Sequence, residues 1–361
     1  MASFGDALAA LESFRTDLVS AQTSASVPVA EAMAFRIGGR AMRRSPLANI
    51  HATGVGVRGD SETPGPNDFV VKVYVFEKTD VSAARNDPTL KRAVQGVDVD
   101  VEHLPVQVAF KPRTAVESPP YTRAVPAPQA AHPAQHQAKV RPVKAGVEIG
   151  PLGGDFVGTL GCFVRRQAHG RIFVLSNNHV LADVNRFPIG KKHTQPFSTD
   201  PADVICALSD FEPIHFPSPG SQPRNVIDAA IAAVESSAEI IPGQMLNIPK
   251  YTPGLKAPVP GMAVTKAGRT TGVTRGVIRA IRVRGVHVNY GSSAQPVIAT
   301  FDNAITITGV GGPFSKPGDS GSVILEQASG VPVALLFAGD ATTTTACDIA
   351  AACARFNVHP I

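Results

Sequence analysis

Apolar positions in residues 3–20 recur every three to four places, so that Phe4, Leu8, Leu11, Phe14 and Leu18 line one stripe of a predicted helix. Ser3 stands before the run and Asp6 three residues on, the arrangement that caps a first turn. Such a stripe must be covered, either by this chain's next segment or by another protein. Residues 27–44 carry a second helical pattern that stops before Pro46. From 49 to 110 the period shortens to two. "NIHATGVGVR" and "DFVVKVYVFEK" read as strands around a Gly/Pro-rich turn at 59–67. "DPTLKRAVQG" reads as a short helix, with Asp87 as cap, Pro88 in its first turn and Gly96 at its end. "VDVDVEHLPVQVAF" returns to strand period and puts Asp98, Asp100 and Glu102 on one face, where they either gather a cation or meet solvent. The pattern predicts an N-terminal helical segment over 1–48 and a small α/β module over 49–112.

Residues 113–142 lose apolar bulk and turn to Pro, Ala and Gln, the composition of a semi-extended linker open to proteolysis. His132 and His136 have metal-ligand spacing only on a helix; Pro133 argues against one, and they read as linker histidines. Beyond 143, short β-like runs alternate with Gly and Pro: "GTLGCFVRR", "RIFVLSNNHVLA", "VIRAIRVRGVHVNY", "NAITITG", "GSVILE" and "VPVALLFAG". Their number predicts a sandwich or barrel, with chain enough for two barrels. The alternation changes phase at Gly285, as a bulge or turn would cause. "ACDIAAACARFNV" is the exception, an Ala-rich final helix closed by Asn357.

Composition narrows the function. At 361 residues, 43% hydrophobic and 17% charged, the chain can bury a large core. Its net charge of +5 is scattered in pairs such as Arg43–Arg44 and Lys191–Lys192, and it has no Trp and 4 Tyr, so neither a basic track nor a stacking platform for nucleic acid is built. No apolar run is long enough to span a membrane. The acidic start lacks the basic region of a secretory signal, and four scattered cysteines (Cys162, Cys206, Cys347, Cys353) form neither a disulfide framework nor a close metal-ligand pair. The expectation is a cytoplasmic protein with reduced thiols and with no metal or organic cofactor.

The chemistry begins at "PFSKPGDSGSVI". Ser320 in Gly-Asp-Ser-Gly can be a nucleophile only if a base and a group orienting that base exist elsewhere. His179 ends the apolar run of "RIFVLSNNHVLA", where a strand meets a turn. There it is either a satisfied structural histidine or a scaffold-held base facing a cleft. Asp228, in "NVIDAAIAAV", is an acid among apolar and small residues. It is either paired, as an imidazole N–H would pair it, or it punctuates a helix, since propensity reads 226–236 as helical. The order His179, Asp228, Ser320 is that of the chymotrypsin-type triad.

With "GTLGCFV", "VLSNNHVLA", "NVIDAAIAAV", "AGRTTGVTRGVI", "FSKPGDSGSVI" and "VALLFAG" in sequence, residues 143–361 resemble the trypsin-like, chymotrypsin-fold serine proteases of bacterial type. The resemblance implies a mainly β double barrel with a cleft between the barrels. Ser320 is then the nucleophile, His179 the base and Asp228 the group fixing its tautomer, with the N–H groups of Gly318 and Ser320 as oxyanion hole. It turns Asp228 into a strand-end residue against propensity. It also places Phe314 near the base of the primary pocket, with Phe337, Ala338, Gly339 and Asp340 around it. Phe314 suits a hydrophobic substrate side chain; Asp340 offers an acid from the other wall. Ser322 stands where many members have a second glycine, and no cysteine follows His179. In animal-type members a cut N-terminus pairs with the acid before the nucleophile. Here that acid is Asp319, and either another group satisfies it or cleavage in the linker does.

The expected function is a serine endopeptidase acting on protein or peptide substrates, its N-terminal region regulating activity, recruiting substrate or binding a protein partner. The alternative is an inactive protease-fold binding or scaffold protein; an esterase of the same chemistry stays open. Neither nucleic acid nor membrane is an expected partner.

Overall fold

Capping and burial explain the first helix. In the computed structural model, which describes residues 2–23, 50–58, 65, 67–76, 97–109, 133–168 and 170–361, α1 (Phe4–Thr23) opens on a capping box. Ser3 Oγ accepts the Asp6 N–H at 3.2 Å, and the Asp6 carboxylate accepts the Ser3 N–H at 3.1 Å. Ala7, Ala10, Leu11 and Phe14 are buried against β1 (Ile50–Val57), β2 (Phe69–Val75) and β3 (Val99–His103), through Ile50, Val55, Val71, Val73, Val75 and Val101. Phe4, Leu8, Leu11 and Phe14 of the stripe are therefore covered by this chain. β1 and β2 are antiparallel, whereas β2 and β3 run parallel, Val71 opposite Val99. The expected helices over 27–44 and 87–96, most of the 59–67 turn, and the stretch 110–132 with His132 lie outside the described residues.

The acid row is held from within. Lys72, whose side chain is fully buried, reaches Asp100 at 2.6 Å and Glu102 at 2.5 Å, and Arg58 pairs with Asp98. A lysine and an arginine are the cations these acids gather. Residues 1–105 with 282–285 form one compact unit, and 106–281 with 286–361 form a second.

The second unit begins with β4 (Gln107–Val108) and continues with β5 (Val143–Ala145), β6 (Glu148–Pro151), β7 (Gly158–Thr159), β8 (Cys162–Arg166), β9 (Ile172–Ser176), β10 (Lys192–Thr194), β11 (Val204–Phe211), β12 (Ala230–Val234) and β13 (Ile240–Met245). It continues with β14 (Ala263–Gly268), β15 (Gly272–Arg284, as far as Ile281), β16 (Val286–Asn289), β17 (Ile298–Phe301), β18 (Ala304–Gly309), β19 (Val323–Glu326), β20 (Pro332–Gly339), β21 (Thr343–Asp348) and β22 (Val358–Pro360). The pairings β14–β15–β18–β21–β20–β19–β14 close a six-stranded ring. The other sheet runs β22–β8–β9–β12–β11–β10–β6–β7 and stays open as a half-barrel. Gly285, at φ +87°, separates β15 from β16 at the expected phase change. The last helix, Ile349–Phe356, is capped by Asp348, whose carboxylate accepts the Ala350 N–H at 2.8 Å, and ends on Asn357 in the left-handed region.

One expectation is corrected. Pro133–Gln137 is a short helix, because proline at a helix start gives up an N–H that had no partner there anyway. His136 is fully buried, not a linker side chain. Its Nδ1–H donates to Gly146 O at 2.7 Å, and Asn247 Nδ2 donates to its Nε2 at 3.2 Å.

Burial lowers the pKa of His136, and takes His193 and His287 down to about 4. Each folded value lies below the unfolded value near 6.5, so the unfolded chain binds more protons between the two. The stability these groups contribute is complete above pH 6.5 and is lost as pH falls toward 4. His193 and His287 are each expected to forfeit about 3 kcal/mol across that window. Urea midpoints between pH 7 and 4 check this; a flat profile contradicts it.

Candidate active site

Strand register brings His179 and Asp228 together. β9 and β12 are antiparallel with Ser176 opposite Ala230, so the residues just after β9 and just before β12 emerge at the same end. His179 lies in a single helical turn after β9, and Asp228 lies two residues before β12. Both are fully buried. His179 Nδ1 is 2.6 Å from Asp228 Oδ2, and the His179 backbone N–H donates to Oδ1 at 3.3 Å. The carboxylate accepts, so the ring's proton sits on Nδ1. Nε2 is buried with no hydrogen-bond partner, its lone pair unclaimed. Asn177 Nδ2 donates to Asp228 O at 2.7 Å, and Asn178 Nδ2 donates to Glu212 O at 2.6 Å, which fixes the turn on both sides.

Tyr290 was not singled out from the sequence. Its hydroxyl donates to Asp228 Oδ2 at 2.8 Å, and its ring meets the His179 ring edge-on with centroids 5.9 Å apart. Burial first, and then the Asp228 charge, raise the phenol's pKa well above its ordinary value, so the group stays a donor. Only its place one residue past an alternating strand marked it, and that does not distinguish it from any strand-end tyrosine. Tyr290→Phe removes a hydrogen bond to a charged acceptor, worth about 1.5–3 kcal/mol. If the site works as a catalytic triad, Tyr290 is a positioning residue, and a fall in kcat of about tenfold or more with little change in KM is the expected result. Equal kcat values would reject that role.

Thr159 fastens the Ser320 turn at two points. Thr159 N–H donates to Ser320 O at 2.8 Å, and Thr159 Oγ1 donates to Gly318 O at 2.9 Å. Ser176 Oγ in turn donates to Thr159 O at 2.8 Å, which links the turn to the end of β9 and so to His179. Gly318 has φ +100°, and a Cβ on it would run into Thr270 Oγ1, so both conformation and space require glycine.

Asp319 is satisfied within the chain. Its Oδ1 accepts the Thr270 and Thr271 N–H groups at 2.8 and 3.1 Å, and its Oδ2 accepts Thr271 Oγ1 at 2.7 Å and Lys316 N–H at 3.0 Å. Lys266 Nζ lies 3.4 Å from Oδ2, both side chains fully buried. Burial lowers the lysine's pKa, and the charge of Asp319 opposes that fall. No freed N-terminus is needed to hold this acid.

Around the expected pocket, Phe314 is buried, with Lys266 Nζ 5.8 Å from its ring centroid. Phe337, Ala338 and Gly339 form the buried end of β20. Asp340 is already engaged, with Oδ1 accepting the Thr342 and Thr343 N–H groups and Oδ2 accepting Gln107 Nε2 at 2.7 Å. All four cysteines are buried free thiols; burial raises Cys353 to about 12 and the other three higher still, which keeps them unreactive. Among the described residues no group of His, Cys, Asp and Glu is arranged to hold a metal, and no helix is long and apolar enough to cross a membrane.

No protein-family model matches the chain, and no curated protein matches it. Solved structures similar to it are bacterial serine proteases. Thermobifida fusca protease A is 16% identical, with 61% of this chain and 98% of that one covered and a TM-score of 0.43. Cellulomonas bogoriensis chymotrypsin is 19% identical over 61% and 98%, with a TM-score of 0.42. A glutamic-acid-specific serine protease is 19% identical over 61% and 100%, with a TM-score of 0.41.

Proposed function

We propose that this chain is a serine endopeptidase working through His179, Asp228 and Ser320. The observation that supports it most is a buried imidazole whose Nδ1–H is held by a buried carboxylate and whose Nε2 is left unpartnered. His136 has both ring nitrogens satisfied, and His193, which also leaves its Nε2 unpartnered, sets its Nδ1 against Lys191 O and not against a carboxylate. In the proposed reaction Ser320 Oγ attacks the substrate carbonyl carbon while its proton passes to His179 Nε2. The N–H groups of Gly318 and Ser320 receive the negative oxygen, an interaction worth about 3 kcal/mol per donor. Collapse of the intermediate expels the amine, which takes the proton from Nε2. Water, deprotonated by the same nitrogen, then hydrolyses the acyl ester and frees Ser320.

The pocket beside Ser320 is assigned to Phe314, Phe337, Ala338, Gly339 and Asp340, and the N-terminal region to regulation or substrate recruitment. The test is labelling of the full chain with a fluorophosphonate probe. Wild type is expected to label at Ser320, and Ser320→Ala and His179→Ala are expected not to. A wild type that stays unlabelled while correctly folded favours a protease-fold binding protein instead.

A further inference from the structure

We propose that residues 106–109 of this chain occupy the edge of β20 beside Ser320 as a built-in pseudosubstrate, with Gln107 filling a subsite for a carboxamide side chain. The inference rests on the reading of Ser320 as nucleophile and supplies the regulation and substrate class of that same site.

β19 pairs with β20 only as far as Val323 opposite Leu335. The turn that holds Ser320 is fastened just beyond, where Gly321 N–H donates to Leu336 O at 2.9 Å and Leu336 N–H donates to Ser322 O at 3.0 Å. β20 continues through Phe337, Ala338 and Gly339, with β21 on its far side. From Phe337 onward its near edge is therefore vacated by β19, and that edge starts at the nucleophile's turn. An extended peptide adding to it runs its backbone past Ser320.

β4 already lies there. Val108 is paired antiparallel with Gly339. The other edge of β4 is closed by β16 in parallel, Gln107 opposite Val288 and Val108 opposite Asn289, with Ala109 N–H donating to Asn289 O at 3.1 Å. Gln107 is fully buried. Its Nε2 donates to Asp340 Oδ2 at 2.7 Å, and its Oε1 accepts Thr345 Oγ1 at 3.2 Å. An acceptor and a donor thus meet the two ends of one carboxamide. The turn N–H groups on Asp340 Oδ1 hold the carboxylate in place beforehand. A glutamate in the same position sets two carboxylates together, and an apolar side chain leaves the half-buried Asp340 acceptor and the buried Thr345 hydroxyl without their partner, so the subsite discriminates for glutamine. Because β4 is tethered, it competes at an effective concentration on the order of millimolar, although only Val108 pairs with β20.

Fluorescence anisotropy reads the docking without catalysis. A labelled acetyl-Pro-Val-Gln-Val-Ala amide is titrated into the full-length Ser320→Ala chain, and into the same chain carrying Val108→Pro or Gln107→Glu. Proline has no N–H to offer Gly339, and glutamate faces Asp340; the two variants disturb the segment in unrelated ways, which guards against misfolding in one. At neutral pH both opened chains are expected to bind the peptide at least tenfold more tightly than the unopened one. A Gln-to-Glu peptide is expected to bind at least tenfold more weakly than the original. In chains with Ser320 intact, the same variants are expected to raise kcat/KM for a Gln-containing peptide at least tenfold. Equal peptide affinities across the three chains overturn the docking proposal, and fluorophosphonate labelling then decides the protease reading on its own. Tightened binding without labelling keeps the docking edge and rejects the nucleophile.

Discussion

Under the proposed mechanism, Asp228→Asn is expected to lower kcat about 10⁴-fold and to leave the fold intact. The carboxylate accepts from three donors: the His179 ring N–H at 2.6 Å, the His179 backbone N–H at 3.3 Å and the Tyr290 hydroxyl at 2.8 Å. Asparagine has the same shape but only one accepting oxygen, and its NH₂ must face one of these donors. Turned toward the ring, it donates to an unprotonated Nδ1. The proton is then on Nε2, and the lone pair that should receive the Ser320 proton is gone. At about 1.4 kcal/mol per decade, 10⁴-fold corresponds to about 5.5 kcal/mol of barrier. The check is kcat for a peptide substrate beside the urea midpoint. A loss below tenfold with unchanged stability would show that Asp228 does not set the tautomer.

Lys266→Met is expected to destabilise the protein by about 3–5 kcal/mol, because it leaves the Asp319 carboxylate buried without its cation. Asp319 keeps its four hydrogen bonds from Thr270, Thr271 and Lys316, but none carries a full positive charge. Asp319 sits between Gly318 and Ser320, so the same change is expected to loosen the amides proposed as the oxyanion hole and to lower kcat. The informative comparison is the double variant Lys266→Met with Asp319→Asn. Removing both charges is expected to restore most of the lost stability, since what costs is the unpaired ion and not the missing pair. If the double variant is less stable than Lys266→Met alone, the ion pair is not what stabilises this turn.

Much was readable in the chain because it depends on neighbours within a few residues. The capping box at Ser3 and Asp6, the Asn357 stop, the break at Gly285 and most strands of the second unit follow from local pattern, and the structure has them. The three chemistry-bearing residues were also singled out, from a turn motif, a strand-end histidine and an acid in apolar company. Local propensity failed at 226–236, where an Ala-rich helix was the expectation from composition alone. Pairing with β9 and β11 makes Ala230–Val234 a strand, because interstrand hydrogen bonds and burial outweigh a few tenths of a kcal/mol of helix preference per residue.

By itself, then, the sequence determined the periodicities, the caps, the turn that requires glycine at 318 and the identity of the residues able to do nucleophilic chemistry. Tertiary structure decided which of ten histidines meets a carboxylate, because His179 and Asp228 are 49 residues apart and meet only when β9 and β12 pair in register. It decided that Tyr290, from the β16 side, completes the shell of Asp228, that Lys266 satisfies Asp319, and that Gln107 lies on the β20 edge. Each of these joins residues 50 to more than 200 positions apart. Their partners are chosen by the burial of charge and of backbone edges, a cost that appears only once the chain has folded.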